Sequence, residues 1–249
     1  MHFSKRRAHS SRTYVISRQA INAARWQASL VNGHFGSTGT RASLNANIHP
    51  SCWGGNLTAA AAMMISLGYP LNQVAGICLG VRAIPGRLEL VETTGGQGRA
   101  SVLIDYAHTP DALEKTLETC RDLLSEGGKL ICVFGCGGDR DPTKRPIMGQ
   151  IAARIADQVW ITSDNPRTEN PMLIIENILN GTADENSAHV CVQADRALAI
   201  KEAIRSSKEQ DIVLIAGKGH EDYQIVGTTK YPFSDSAIAR QILSDERNI

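Results

Sequence analysis

The densest chemistry in this sequence is the stretch Ser163-Asp164-Asn165-Pro166-Arg167-Thr168-Glu169-Asn170-Pro171. It combines an anion, a side-chain amide, a turn stiffened by Pro166 and a guanidinium. Arg167 can grip a carboxylate with two parallel hydrogen bonds, and Asp164 can hold an ammonium. Together they suit a zwitterionic amino acid. The plain alternative is an ordinary strand-to-helix loop, with Asn170 as N-cap and Pro171 at the first helical position.

Other polar stretches share its character: Asp105 to Asp111, Phe134 to Pro146, and Ala216 to Asp222. Their glycines let backbone N–H groups approach a ligand closely. Gly135-x-Gly137 is not a dinucleotide fingerprint, because Arg140 stands where the third glycine belongs and Pro142 interrupts the helix that should follow. Gly217-Lys218-Gly219 is not a phosphate-binding P-loop, since it lacks the upstream glycine and the Ser or Thr after the lysine. No P-loop occurs anywhere in the chain.

The elements that must position these stretches follow from periodicity. Residues 1–55 show no clean period; Asn32-Gly33, Gly36-Ser37 and Asn45-Ala46-Asn47 read as turns. Asn56 to Leu67 reads as a helix capped by Asn56 and stopped by Gly68, and Leu71 to Leu79 as a second. Ile84 to Arg87 is a turn, and Leu88–Thr93 and Ala100–Tyr106 are strands around Gly95-Gly96. Thr109 and Pro110 start a helix whose Leu113, Leu117, Cys120 and Leu124 share a face, ended by Gly127-Gly128. Strands follow at Lys129–Phe134, Val159–Thr162, Val190–Val192 and Ile212–Ile215. Helices lie between them: one marked by Ile147, Ile151 and Ile155, others near 171–180 and 196–206. Tyr223–Val226 and Lys230–Phe233 form a terminal hairpin. The alternation predicts an α/β fold: a doubly wound, mostly parallel, Rossmann-like sheet with the polar loops on one edge.

The 249 residues allow one large domain or two small ones, and an apolar fraction of 42% suffices for a core. A net charge of +1 argues against a strong nucleic-acid or membrane field. No apolar run approaches the ~20 residues of a membrane helix. Cys52, Cys78, Cys120, Cys132, Cys136 and Cys191 include no Cys-x-x-Cys, and several lie in apolar runs, as reduced thiols of a cytoplasmic protein do. The first acidic residue is Glu89. The Arg- and Ser-rich start resembles an organelle transit peptide, but the acid-free region outruns one. A truncated or misread gene start explains it at least as well.

From Asn56 onward the sequence resembles the C-terminal part of the Mur ligases, in the branch that adds meso-diaminopimelate to UDP-N-acetylmuramoyl-L-alanyl-D-glutamate. Gly86-Arg87, Asp105–Asp111, Gly135–Pro146, Asp164-Asn165-Pro166-Arg167 and Gly217–Glu221 carry the resemblance, in the family's order. Asp-Asn-Pro-Arg is the most specific, being that branch's signature for diaminopimelate rather than lysine. The resemblance implies an amino-acid site at Arg140, Asp164, Asn165, Pro166, Arg167, Gly217 and Glu221. It implies ATP contacts at Asn56, Arg87 and Asp105, with His108 and Lys144 near the nucleotide. For His108 the alternative is a turn residue before a helix, and for Asp105 a strand-end acid bonded to a nearby turn.

The resemblance also implies ATP and magnesium as cofactors and an ATP-dependent amide ligation in peptidoglycan precursor synthesis, hence in cell-wall biogenesis, cell shape and division. It divides the chain into residues 1–83, a remnant of the family's central ATPase domain with 1–55 unassigned, and 84–249, the C-terminal domain. The family's uridine-nucleotide domain, P-loop, magnesium-binding acids and modified lysine have no counterpart here, so no metal ligand is assigned. His49–Gly55 also departs from the lead-in expected before Asn56. The expectation is a truncated ligase, inactive alone. Its rivals are a non-catalytic binding module and a folylpolyglutamate synthetase relative; the Asp164–Arg167 loop argues against the latter.

Overall fold

The computed structural model describes residues 13–22, 25–33, 40–46, 53–81, 84–91, 100–183 and 188–245. The Arg- and Ser-rich start, Gly36-Ser37 and Gly95-Gly96 lie outside these residues. The chain forms two compact units, Met1–Ala83 and Ile84–Ile249.

In the first unit, strands β1 (Thr13–Asn22), β2 (Arg25–Gly33) and β3 (Thr40–Ala46) form an antiparallel sheet in that order. This corrects the expectation of no regular structure before residue 55. Asn32-Gly33 and Asn45-Ala46 end strands rather than making independent turns. Helix α1 (Trp53–Ser66) begins before Asn56, so Asn56 is helical and not the N-cap. Gly68 follows with φ of 97°, a left-handed conformation that glycine adopts without steric cost and that ends a helix. Helix α2 (Leu71–Leu79) has the expected bounds, and Ala61, Ile65, Val74 and Cys78 form the buried cluster of α1 and α2.

In the second unit, β4 (Glu89–Leu90), β5 (Ser101–Asp105), β6 (Leu130–Phe134), β7 (Gln158–Ile161), β8 (His189–Val192) and β9 (Ile212–Ala216) form one sheet in the order β4-β5-β9-β6-β7-β8. Only β4, at the edge, runs antiparallel. Strands β6 and β9 are buried along their whole length, as expected for parallel strands covered on both faces. Alternate residues face opposite layers. Leu130, Cys132 and Phe134 join one core with helices α3 (Pro110–Leu123), α4 (Lys144–Ile155) and α5 (Pro171–Leu179). Ile131 and Val133 join the other with α6 (Arg196–Ser206) and α7 (Asp235–Asp245). The chain winds outward from β6 to β8, then returns through α6 to β9. A right-handed crossover in the reverse direction places its helix on the opposite face, which makes the fold doubly wound.

Within α4, Ile147 is 47% exposed while Met148, Gly149, Ala152 and Ala153 are buried, so the inward face is rotated from the one expected. Strands β10 (Tyr223–Val226) and β11 (Thr229–Pro232) form the expected hairpin, but it is not terminal. Helix α7 follows it, and its Ala239 and Leu243 pack into the second core.

Candidate functional site

The carboxyl ends of β5, β6, β7 and β9 release their loops on the same edge of the sheet, where open α/β folds bind ligands. A cleft of about 480 Å³ opens there. Arg140, Asp164, Asn165, Arg167, Gly217 and Glu221 line it together with His108 and Lys144. Three expected residues do not line it: Asn56 belongs to the first unit, and Arg87 and Asp105 lie away from the walls.

The loop after β7 is shaped by the hairpin. Arg167 adopts φ of 50°, and its N–H donates to Ile225 O at 3.1 Å while its carbonyl accepts from Gly227 N at 2.8 Å. A non-glycine residue in this conformation persists when its surroundings over-determine it. Its Nη1 donates to Gly138 O at 2.8 Å. That contact pins one corner of the guanidinium and leaves the Nε–Nη2 edge for a carboxylate. Pro166 does not line the cleft; its carbonyl faces the backbone of Gly138, where a Cβ would sit 1.9 Å away.

Loops β6–α4 and β7–α5 are further tied by carboxylates. Asp139 accepts from the Thr168 hydroxyl at 2.8 Å and from Thr168 N at 3.2 Å, which holds its carboxyl below the usual range. Glu169 accepts from Asp139 N and from Arg145 Nη2, the latter at 2.8 Å, and its carboxyl is likewise lowered. Asn170 caps α5 by accepting from Met172 N at 2.9 Å, with Pro171 at the first position. The stretch is therefore an ordinary strand-to-helix connection in its backbone as well as a wall of the cleft.

Lys218 was not anticipated as a site residue. It is fully buried, and its Nζ donates to Asp164 Oδ1 at 3.3 Å, Asn165 Oδ1 at 3.1 Å and Glu221 Oε2 at 3.3 Å. Glu221 Oε2 also accepts from Asn165 Nδ2 at 3.0 Å. The expectation that Asp164 and Glu221 are held open for a ligand ammonium needs correction: an internal ammonium already sits between them. Asp164 Oδ2 and Glu221 Oε1 have no hydrogen-bond partner among the described residues and keep acceptor capacity. The signal for Lys218 was its place between two glycines of positive φ, Gly217 at 115° and Gly219 at 54°, which turn its side chain inward.

Asp105 is buried at the end of β5. It accepts from Leu88 N at 2.8 Å, Ala107 N at 2.8 Å and the Thr116 hydroxyl at 3.3 Å. Burial raises its pKa, and these hydrogen bonds and Arg87 oppose the rise. Its carboxylate organises the turn, which is the alternative kept for it above. The Arg87 guanidinium lies 4.9 Å from the centre of the Tyr106 ring, which contacts His108 and His220. His108 Nδ1 donates to Tyr106 O at 2.8 Å, and Lys144 Nζ donates to His108 O at 2.7 Å.

As a test of fit to ATP, the exposed Arg87 and His108 offer a cation and a ring, and Lys144 a further cation, but no glycine-rich phosphate cradle is present in the sequence. Among the described residues no group of three or more His, Cys, Asp or Glu side chains could hold a metal ion. Burial pushes the cleft-lining Cys136 thiol up to about 12, so it is not poised as a nucleophile. Among the described residues no helix is long and apolar enough to cross a membrane.

Residues 86–219 match the family described as Mur ligase, glutamate ligase domain. The chain is 50% identical over 193 residues to the UDP-N-acetylmuramoyl-L-alanyl-D-glutamate–2,6-diaminopimelate ligase of Synechococcus elongatus, covering 78% of this chain and 38% of that protein. It is 47% identical over 189 residues to the enzyme of the same name from Haemophilus ducreyi, covering 76% of this chain and 37% of that one. A solved structure of a ligase of that name superposes with a TM-score of 0.71 at 32% identity, over 97% of this chain and 47% of the other. A folylpolyglutamate synthase from Thermotoga maritima shares the fold, with a TM-score of 0.58 at 19% identity over 82% of this chain and 43% of the other. The chain thus spans well under half the length of the curated relatives it matches.

Proposed function

Because this chain belongs to the Mur ligase family through its glutamate ligase domain, we propose that its cleft is the amino-acid site of a ligase that adds meso-diaminopimelate to UDP-N-acetylmuramoyl-L-alanyl-D-glutamate. The observation that carries this reading is the convergence of Arg140, Arg167, Asp164, Asn165 and Glu221 in one cleft. The free edge of Arg167 suits the carboxylate at the far end of diaminopimelate, with Arg140 beside it. The second oxygens of Asp164 and Glu221 suit the ammonium on the same carbon. The ligand's other amine is then left to attack the acyl phosphate that ATP forms on the glutamate. Placing that amine is the domain's contribution to rate.

In this reading residues 84–249 are the amino-acid-binding domain and residues 1–83 the remainder of a central ATPase domain, to which Asn56 belongs. Arg87, His108 and Lys144 would meet ATP from one side, and Asp105 would act only through the turn it organises. ATP would supply the phosphoryl group. Its phosphate grip, its magnesium ligands and the site for the UDP-linked dipeptide would come from elements with no counterpart in this chain. The reading places the protein in the cytoplasm, where peptidoglycan precursors are made, in agreement with its free cysteines. A binding role without turnover is the second reading, favoured by the missing P-loop.

Calorimetry tests the first reading directly. Lysine lacks the carboxylate that Arg167 would clamp. A charge-assisted hydrogen bond contributes roughly 1.5–3 kcal/mol, so diaminopimelate should bind about ten- to a hundredfold more tightly than lysine. Arg167→Ala should abolish the preference. Equal binding of both amino acids by the wild-type chain overturns the assignment. Release of tripeptide product by the chain alone, given all substrates, would instead overturn the second reading.

A further inference from the structure

Arg196 and Asp235 are both fully shielded from solvent, at the first positions of α6 and α7. Arg196 Nε donates to Asp235 Oδ1 and Nη2 to Asp235 Oδ2, each at 2.8 Å, in a parallel two-bond pair. The remaining contacts go to backbone: Nη2 donates to Ala216 O at 2.9 Å and Nη1 to Ser163 O at 3.4 Å. Ala216 immediately precedes Gly217-Lys218, and Ser163 immediately precedes Asp164. These carbonyls belong to the ends of β9 and β7, which are not neighbours: β6 lies between them, so no ladder hydrogen bond joins them. The guanidinium spans that gap from beneath.

Stability alone does not account for such a pair. Two apolar side chains of similar volume are often as stabilising as a buried ion pair, because desolvation of the charges offsets their attraction. An apolar pair could not fix two carbonyls at a set separation. We infer that Arg196, held by Asp235, is the positioning residue of the cleft: it sets the loop bearing Asp164 to Arg167 against the loop bearing Gly217 to Glu221, without touching a ligand. The inference deepens the amino-acid reading above and rests on it.

The test uses the full chain with Arg196→Met combined with Asp235→Leu, and separately with Arg196→Lys. The double variant removes both charges while keeping volume; the lysine keeps a charge for Asp235 but cannot bridge both carbonyls. Thermal unfolding, calorimetry with meso-diaminopimelate and amide hydrogen exchange at Gly217 are measured on each. The Gly217 amide donates to Asp105 O at 3.0 Å and reports the β9 loop independently of ligand. The double variant should melt within a few degrees of wild type, yet bind at least about tenfold more weakly and exchange faster at Gly217, since misplacing a site by ~1 Å can cost as much as ~100-fold. A merely structural pair would change melting without that split.

A folded double variant with wild-type affinity and exchange overturns the inference. Should the double variant fail to fold, wild-type affinity and exchange in Arg196→Lys overturns it equally. If the wild-type chain binds no diaminopimelate, the amino-acid reading is what fails. Gly217 exchange in the variants then decides the positioning role by itself, acceleration supporting it and no change overturning it.

Discussion

Replacing Lys218 by Met keeps length and removes the charge at the centre of the cleft wall. Nζ is fully buried and holds Asp164 Oδ1, Asn165 Oδ1 and Glu221 Oε2 at 3.1–3.3 Å. No solvent screens the ammonium, so the discount applied to surface pairs does not apply to it. Breaking a buried pair by removing one partner costs about 3–5 kcal/mol, because the remaining charge is left uncompensated. Glu221 retains 18% side-chain exposure against 11% for Asp164, so water relieves part of that cost. The lower part of the range, about 3–4 kcal/mol, is therefore expected. For a domain of this size it lowers the melting temperature by roughly 6–16 °C. Circular dichroism melts at neutral pH measure it. Adding Asp164→Asn to Lys218→Met should restore part of the loss, because the two residues are in contact and their effects do not add. A Lys218→Met chain melting within about 2 °C of wild type would refute the claim that this ammonium neutralises the carboxylates.

Two further outcomes follow from the cleft's supports. Gly138→Ala places a Cβ 1.9 Å from Pro166 O, so the Asp164–Arg167 loop must shift; urea unfolding should show a loss of about 1–3 kcal/mol, with weaker diaminopimelate binding in calorimetry. Asp105→Asn forces an amide N–H against a backbone donor, either Leu88 N or Ala107 N, and should cost about 1–3 kcal/mol in the same assay. Its pH dependence has a defined sign. Because burial raises the folded-state pKa of Asp105 above 3.8, the folded chain binds this proton more readily than the unfolded one. The wild-type stability, relative to the Asn variant, therefore grows as pH falls from the raised value towards 3.8.

The second unit was legible because its strands are short apolar runs between glycine- or proline-marked turns, and its helices carry explicit caps. Thr109 with Pro110, and Asn170 with Pro171, start α3 and α5 as read. The first unit was not: its strands dilute a period of two with Ala and Ser, as in Ala20, Ala28, Ser29, Ala42 and Ser43. Helix α7 had a readable signal that went unused, with Ser234 Oγ accepting from Ala237 N at 3.3 Å and Ile238, Ala239, Ile242 and Leu243 at helical spacing. Ile147 misled because spacing of four names a stripe on a helix without saying which stripe faces inward. The small residues Gly149, Ala152 and Ala153 are what let α4 approach its neighbours; a Cβ on Gly149 would stand 2.1 Å from Ile178 O.

Site residues were legible wherever type alone implies a ligand, and illegible wherever the partner is internal. Arg167 and Arg140 could be assigned because exposed guanidinium groups on sheet-edge loops suit carboxylates. Lys218 could not, because nothing near it in sequence says that Asp164, 54 residues away, will meet it in the buried wall. Its presence changes the electrostatic account of the cleft. Asp164 and Glu221 alone would be two carboxylates crowded around one amide side chain, a repulsive cluster in poorly solvated space. With Lys218 between them, two negative charges and one positive leave a single net negative charge facing the cleft. That is the charge of one ligand ammonium, opposite in sign. With Arg167 and Arg140 on the carboxylate side, the wall is complementary to one zwitterionic end of an amino acid and not to a dication.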